Sequence, residues 1–288
     1  MGTKSPTSGG GVIVTGASTG IGEACALHLA SMGFRVFAGV RRSKDADRLV
    51  EASHGALTPV MLDVTDSGQI DAAVRQVEGS LDGERLAGVV NNAGIAVAGP
   101  LEFVPIPELR RQFEVNAVAP VAVTQAFLPM LRRRMGRVVL VGSASGLMSA
   151  PFVGAYSASK FALESIADAM RMELRQWGIQ VVLIDPGEVR TPIWEKSRER
   201  AFSMLESMPP EFDRLYGPAV PKAQAYAEKA ASRGRPPSAV AEVVGRALVD
   251  PKPKARYFVG ADAKAQAVVA RLLPSRWKDR LVLRVLGL

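Results

Sequence analysis

The chain contains 288 residues, a length that suits one large domain or two small ones with a buried core. Apolar residues make up 48% of the chain and charged residues 22%, and Gly and Pro follow no repeating period, so a disordered or fibrous protein is excluded. The single cysteine, Cys25, cannot form an intrachain disulfide, so the composition does not indicate a disulfide-rich secreted domain.

The net charge of +8 is concentrated near the C-terminus. Residues 251–288 contain nine Lys and Arg against two Asp, which is a net charge of +7 and leaves +1 for residues 1–250. A nearly neutral body without a recognition module argues against nucleic-acid binding. His28 and His54 are too few and too isolated to suggest a metal site.

Residues 1–11 are polar and rich in glycine, and they predict a flexible N-terminus without the apolar run of a signal peptide. No later stretch approaches the roughly eighteen apolar residues that a membrane-spanning helix needs. Short β-branched runs then predict strands over 12–15, 35–40, 59–62, 86–90, 137–141, 180–184 and 256–259. Longer periodic patterns between them predict helices over 21–32, 67–78, 107–134, 156–177 and 238–249.

Near-continuous apolar strands that alternate with helices predict a parallel sheet covered on both faces. We therefore expect an α/β protein with a doubly wound, Rossmann-type sheet of about seven strands, built as a single domain over residues 12–260. Residues 192–237 interrupt the alternation and predict a helical substrate flap. The flap contains the aromatic and other large apolar residues Trp194, Phe202, Met204, Leu205, Met208, Phe212 and Tyr216.

Residues 261–288 predict a basic, amphipathic C-terminal tail, in which Leu and Val alternate with Lys and Arg. Such a tail, over residues 265–288, is compatible with packing over a pocket or on a partner subunit. A basic amphipathic helix that contains a tryptophan, here Trp277, is also compatible with peripheral contact at a membrane surface. Packing is the interpretation that we favour, because amphipathic helices usually cover globular cores.

The first strand leads into a glycine-rich turn and then a helix, with the sequence Thr15-Gly16-Ala17-Ser18-Thr19-Gly20-Ile21-Gly22. Glycines at a strand-to-helix turn let the backbone approach a pyrophosphate, and the free N–H groups of the helix start attract the anion. The turn predicts a dinucleotide site with contacts from Gly16, Ser18, Thr19, Gly20, Ile21 and Gly22.

The second strand ends at Val40 without the acidic residue that accepts hydrogen bonds from the ribose hydroxyls of NAD. Arg41 and Arg42 follow at once and are suited to bind the 2′-phosphate of NADP. NADP(H) is therefore favoured over NAD(H), although a basic pair is also compatible with solvated loop charges.

Tyr156 and Lys160 are four residues apart on a predicted helix, so both side chains lie on one face. An ammonium beside a phenol lowers the phenol pKa, and the phenol can then exchange a proton with a carbonyl or an alcohol. Alone, the pair is weak evidence, because a Tyr and a Lys at this spacing more often form an exposed pair on a helix surface. Ser143 follows the fifth predicted strand, on the side of the sheet where ligands bind.

Other polar positions follow the predicted strands in the same order. The string Asn91-Asn92-Ala93-Gly94 ends the fourth strand and by itself reads as a turn. Asn116 lies inside a helix, where Asn is a poor helix former, and a polar role is worth considering. The string from Pro186 to Thr191 closes the sixth strand.

The ordered set resembles the short-chain dehydrogenase/reductase family over residues 12–260. The pattern over residues 36–42 and the extended C-terminus are similar to its retinol and hydroxysteroid dehydrogenase branch. The resemblance implies that Tyr156 donates or accepts the proton and that Lys160 binds the nicotinamide ribose and lowers the pKa of Tyr156. It further implies that Ser143 hydrogen-bonds the substrate oxygen and that Asn116 holds a water in a proton relay.

The resemblance also implies cofactor contacts beyond the glycine turn. These are Asp63 at the adenine ring, together with Val64, Asn91, Ala93, Gly94, Pro186, Gly187, Val189 and Thr191. The family's usual basic residue inside the glycine turn is Thr19 here, so one of the two usual NADP signals is missing.

The expected function is the NADP(H)-dependent interconversion of a carbonyl and a primary or secondary alcohol on a lipophilic, steroid-like or retinoid-like substrate. An NAD-dependent dehydrogenase of a small hydroxy compound and a non-catalytic dinucleotide-binding sensor or scaffold are the alternatives. The resemblance implies a homodimer or homotetramer joined through helices 107–134 and 156–177. The expected location is the cytoplasm, with peripheral membrane contact as an option.

Overall fold

Seven parallel strands form one sheet in the order β3-β2-β1-β4-β5-β6-β7 in the computed structural model, which describes residues 9–193, 195, 197, 200 and 208–288. The strands are β1 Gly11–Val14, β2 Arg35–Val40, β3 Leu57–Met61, β4 Leu86–Asn91, β5 Arg137–Val141, β6 Gln180–Pro186 and β7 Arg256–Val259. The strand order reverses between β1 and β4, and a ligand cleft opens at such a point beyond the carboxyl ends of the strands. The predicted doubly wound sheet is confirmed.

The main helices alternate with the strands along the chain. They are α1 Gly20–Ser31, α2 Ser43–Ala52, α3 Ser67–Leu81, α4 Ile106–Phe113, α5 Ala119–Arg133, α6 Gly154–Glu173, α7 Pro210–Tyr216, α8 Val220–Arg233, α9 Ser238–Val249, α10 Ala261–Leu272 and α11 Ser275–Leu286. Helix α2 was not predicted, because its ten residues are mostly polar and its buried face depends on Leu49. The tail forms two helices rather than one continuous helix, with Pro274 between them.

Alternate residues of the strands face two separate cores. Val12 and Val14 of β1 pack on one face of the sheet, against α1 and α9. Ile13 points to the other face, against α3, α5 and α6. All three side chains are fully buried. Apolar residues are therefore required at successive positions, which is why the strands read as continuous apolar runs.

The predicted helix over 107–134 consists of α4, a π-helical turn over Glu114–Val118, and α5. Among the described residues, this 28-residue span is the one helix that is long and apolar enough to cross a membrane. Half of its most apolar window is buried, and Phe127 and Leu131 pack in the core beneath the sheet. The buried half of this window therefore belongs to the core of the domain.

The structure describes only part of the predicted N-terminal segment, residues 1–11, and of the predicted flap, residues 192–237. Residues 1–8 of the predicted flexible N-terminus lie outside the described residues, whereas Gly9 is buried and Gly11 already belongs to β1. In the predicted flap, Trp194, Phe202, Met204 and Leu205 also lie outside the described residues. The described part contains α7 and α8, and the ring of Phe212 is buried edge-on against Phe103, with 5.4 Å between the centroids.

Replacing the fully buried Phe127 by Ala should lower the free energy of unfolding by about 3–5 kcal/mol, because a ring-sized cavity remains between α5 and the sheet. The measurement is urea unfolding followed by circular dichroism. Met61→Ala, at an exposed position on edge strand β3, is the matched control and should change stability little. Equal effects of the two substitutions would contradict the assigned core.

Candidate active site

A cavity of about 1030 Å³ lies beyond the carboxyl ends of the strands. Most of the predicted site residues line it: Gly16, Ser18, Thr19, Gly20, Ile21, Arg41, Asp63, Val64, Ala93, Gly94, Ser143, Tyr156, Lys160, Pro186, Gly187, Val189 and Thr191. Gly22, Arg42, Asn91 and Asn116 do not line it. The fold therefore brings the glycine turn and the Tyr156–Lys160 face of α6 to a single space.

The glycine turn has the backbone shape that only glycine adopts easily. Gly16 and Gly20 have φ angles of +64° and +63°. Gly22 faces the turn so closely that a Cβ there would lie 2.2 Å from the carbonyl oxygen of Gly16. The first turn of α1 is thus pressed against the end of β1, and its N-terminus faces the cavity.

Thr15 and Asn92, which sequence reasoning did not assign a role, tie β1 to β4 at the cleft. The Thr15 hydroxyl oxygen accepts the N–H groups of Asn92 at 2.9 Å and Ala93 at 3.0 Å. The Asn92 side chain donates to the carbonyl oxygen of Thr15 at 2.9 Å. The neighbouring Asn91, a predicted cofactor residue, turns away and donates to the Thr124 hydroxyl in the core. The Asn91-Asn92 string indicates a polar site at the end of β4, but the sequence does not indicate which of the two side chains faces the cleft.

Arg41 and Arg42, predicted together as phosphate ligands, occupy different surroundings. The Arg41 side chain is 64% exposed, lines the cavity and lies 4.0 Å from the carboxylate of Asp63. Arg42 instead donates from Nε at 2.7 Å and from Nη2 at 3.0 Å to Asp45, and this hydrogen-bonded pair lowers the pKa of Asp45. The pairing directs Arg42 away from the cavity, so the structure separates the two arginines that the sequence treated alike.

Ser143, Tyr156 and Lys160 meet on one wall of the cavity. The Tyr156 phenol is hydrogen-bonded to the Ser143 hydroxyl. The Lys160 ammonium donates to the carbonyl oxygen of Val141 at 2.8 Å and lies 5.9 Å from the centre of the Tyr156 ring. Tyr156 and Lys160 are buried.

Burial controls the protonation of these two groups. It raises the pKa of Tyr156, and the bond to Ser143 offsets this only in part. It lowers the pKa of Lys160 to about 8, against the opposing charges of Asp185 and Glu164. Burial is thus the largest influence on the Tyr156 pKa here, and the lowering of that pKa by Lys160, whose ammonium bonds to Val141, stays a prediction.

Asn116 lies in the π-helical turn, a local distortion that often marks functional sites. Its Oδ1 accepts the N–H of Ile95 at 2.9 Å, and its Nδ2 donates to the Ile95 carbonyl at 3.0 Å and to the Ser159 hydroxyl at 3.1 Å. Gln112 supports the same loop by accepting the N–H of Val97 at 2.7 Å. Both amides hold the loop after β4 that carries Gly94 to the cavity.

A buried carboxyl pair lies behind Lys160, and the sequence analysis missed it. Asp185 on β6 is fully buried, and Glu164 follows Lys160 by one helical turn. Arg256 of β7 bonds to Glu164, and its Nε lies 3.4 Å from Asp185. The two carboxyl groups share a side-chain hydrogen bond, and the backbone N–H of Ser143 donates to Asp185. Burial raises the pKa of Glu164 to about 8 and that of Asp185 to about 6, so the pair retains a proton at neutral pH.

The loop after β6 is held from the C-terminal tail. The N–H of Glu188 donates to the Asp262 carboxylate at 2.6 Å, and Asp262 lies in the first turn of α10. A Cβ on Gly187 would lie only 1.9 Å from the same carboxylate. The predicted contact residue Gly187 is thus fixed by a tail residue that the sequence analysis did not single out.

The raised pKa of Glu164 predicts a pH dependence of stability. The folded protein holds the proton above the ordinary Glu pKa of 4.5, and the unfolded chain does not. The free energy of unfolding should therefore fall as the pH rises towards about 8, and Glu164→Gln should make this fall shallower. Urea unfolding between about pH 5 and pH 8 measures the slope. The exposed Glu51→Gln is the control, and parallel slopes for Glu164→Gln and the wild type would contradict the assignment.

Known proteins resemble this chain over most of its length. Residues 11–201 match the family model described as short chain dehydrogenase. The NADPH-dependent 3-dehydrocapnine reductase of Ornithobacterium rhinotracheale is 36% identical over 274 residues, which cover 93% of this chain and 94% of that protein. Retinol dehydrogenase 5 of Homo sapiens is 32% identical over 290 residues, which cover 98% and 90%.

The fold has close structural counterparts as well. The crystal structure of a short-chain dehydrogenase from Streptomyces avermitilis superposes with a TM-score of 0.74 at 29% identity and covers 92% of both chains. The resemblance inferred from the motifs, including that to retinol dehydrogenases, is confirmed. This chain therefore belongs to the short-chain dehydrogenase/reductase family and is an oxidoreductase.

Proposed function

We propose that the protein uses NADP(H) to interconvert a lipophilic alcohol and its ketone or aldehyde, with Tyr156 as the proton donor and acceptor. The observation that carries the proposal is the meeting of Ser143, Tyr156 and Lys160 on one wall of a cavity that also contains the glycine turn. A binding module has no need of this hydroxyl, phenol and ammonium together. The sensor or scaffold alternative is therefore less well supported.

The cavity fits a dinucleotide along one side. Gly16 and Gly20 have positive φ angles and Gly22 packs against the carbonyl oxygen of Gly16, so the turn brings the N-terminus of α1 to the cavity, where the pyrophosphate would lie. Asp63 and Val64 would border the adenine, and Lys160 would bind the nicotinamide ribose. Pro186, Gly187, Val189 and Thr191 would border the nicotinamide. When bound, the nicotinamide supplies the hydride donor or acceptor.

The protein's own groups handle the proton and the substrate oxygen. The Ser143 hydroxyl, already hydrogen-bonded to Tyr156, would donate to the substrate oxygen. The Tyr156 phenol would deliver its proton to that oxygen. A phenol is protonated at neutral pH and can donate to the oxygen of a carbonyl that is being reduced. Reduction is the proposed direction, and the NADPH-dependent reductase among the relatives supports it.

The far side of the cavity is apolar, which favours a lipophilic substrate over a small hydroxy compound. Its lining includes side chains from the β5–α6 loop, the flap and the tail, namely Met148, Phe152, Phe212, Val269, Leu281 and Val285. A small polar substrate would leave most of this surface without a partner.

We also propose that the protein forms a homodimer or homotetramer through α4–α5 and α6, and that it acts in the cytoplasm. Large apolar side chains remain on the outer faces of these helices. Val118 is 49% exposed and Phe161 is 44% exposed. Sedimentation velocity of the purified protein reports the assembly directly.

Tyr156→Phe should abolish turnover, with a loss of at least about 10²-fold, because the proton donor is removed. NADPH binding should stay nearly intact, since the ring remains. The assay is NADPH oxidation over a panel of ketones and aldehydes, with binding measured by fluorescence titration. Tyr257→Phe is the control, because its hydroxyl bonds to the Lys254 backbone outside the cavity. Full activity of Tyr156→Phe would overturn the mechanism.

Arg41→Ala should reduce the preference for NADPH over NADH by about tenfold, equivalent to about 1.4 kcal/mol. The reason is that Arg41 faces the cavity with a largely exposed guanidinium. Arg42→Ala, whose side chain is paired with Asp45, is the matched control and should change the preference little. The measurement is kcat/KM for both cofactors, and an unchanged ratio in Arg41→Ala would remove Arg41 as the phosphate ligand.

A further inference from the structure

The two tail helices close the cavity with their inner side. Val269 of α10 and Val282 and Leu286 of α11 line the cavity. The Lys222 ammonium of α8 donates to the carbonyl oxygen of Gly287 at 2.7 Å and fixes the end of α11 against the flap. The favoured expectation that the tail packs over the pocket agrees with this placement of its inner side.

The outer side of the tail retains large apolar residues in solvent. Leu272 is 71% exposed, Trp277 is 60% exposed and Val268 is 56% exposed. Trp277, Leu281 and Val285 follow one another at four-residue spacing on α11, so they form a continuous apolar stripe. We define the C-terminal face as this stripe together with Val268 and Leu272.

Cations border the C-terminal face. They are Arg271, Arg276, Lys278, Arg280 and Arg284, against Asp279 alone over residues 271–288. The Arg280 guanidinium lies 5.5 Å from the centre of the Trp277 ring. None of these five cations forms an ion pair with a carboxylate of the described residues. The face thus combines unburied apolar side chains with uncompensated positive charge.

This combination is complementary to the surface of an anionic bilayer. Aromatic and aliphatic side chains insert at the level of the headgroups, and Arg and Lys beside them attract the anionic lipids. We propose that the C-terminal face docks the protein on an anionic membrane surface, with Leu272 and Trp277 inserted and the neighbouring arginines on the headgroups.

The docked face would lead directly into the cavity. Leu281 and Val285 line the cavity while remaining 38% and 56% exposed, so α11 presents the same side chains to the surface and to the interior. If the proposed lipophilic substrate is correct, it reaches the cavity along α11 from the bilayer. Docking itself does not depend on the proposed reaction.

The test is flotation of the full chain with vesicles of phosphatidylcholine, with and without phosphatidylglycerol. The wild type should float with the anionic vesicles, and high salt should weaken this binding because the headgroup contacts are screened. The double variants Leu272→Ser/Trp277→Ser and Arg280→Glu/Arg284→Glu should each reduce the floating fraction at least severalfold. Met61→Ser/Arg75→Glu changes exposed residues elsewhere and should behave as the wild type.

Two further measurements test membrane docking even if a double variant fails to fold. Trp277→Phe should still float. Subtracting its tryptophan fluorescence spectrum from that of the wild type isolates the emission of Trp277, which should shift to the blue on anionic vesicles. Sedimentation velocity without vesicles tests whether a second copy of the chain, instead of a membrane, covers the C-terminal face. The proposal is overturned if the wild type does not float, or if folded double variants float as well as the wild type. It is also overturned if no vesicle binding is seen and the double variants lose a self-association that the wild type shows.

Discussion

The Thr15 hydroxyl joins the end of β1 to the loop after β4, and the geometry of the candidate active site depends on this junction. Strand order reverses between β1 and β4, and two chain segments must separate there to leave a cleft. The hydroxyl accepts two N–H groups from the loop after β4, and the Asn92 amide returns a bond to the Thr15 backbone. The glycine turn and the Gly94 loop are thereby fixed relative to each other. Asn116 and Gln112 continue this support from the helix behind the loop.

The same burial that shapes the cavity determines its charges. Tyr156, Lys160, Glu164 and Asp185 share one poorly solvated region between α6 and β6. In that region burial raises the pKa values of the phenol and of the two carboxyl groups, and it lowers the pKa of the Lys160 ammonium. Arg256 supplies a compensating positive charge from β7. The protonation of any one of these groups therefore depends on the others, and a single group cannot be treated in isolation.

Sequence reasoning succeeds where a local pattern dictates the outcome. The apolar strands and the glycine turn are such patterns, because sheet burial and tight backbone approach restrict the residues that fit. It fails where long-range pairing decides. Arg41 and Arg42 look identical in the chain, yet Asp45 engages only one of the two. Asp185 and Glu164 are 21 positions apart and become a pair only when β6 lies beside α6. The role of Thr15 is likewise invisible until β4 is in place.

The bond between Asp262 and the Glu188 N–H joins the tail to the loop that borders the cavity. Helix α10 carries Asp262 at its start and Val268 and Leu272 on its outer side, so one rigid element reaches from the cavity loop to the protein surface. A displacement of α10 therefore displaces the loop. If binding on the outer side shifts α10, the loop at the cavity shifts with it, and each of the two binding events then changes the affinity of the other by the same factor.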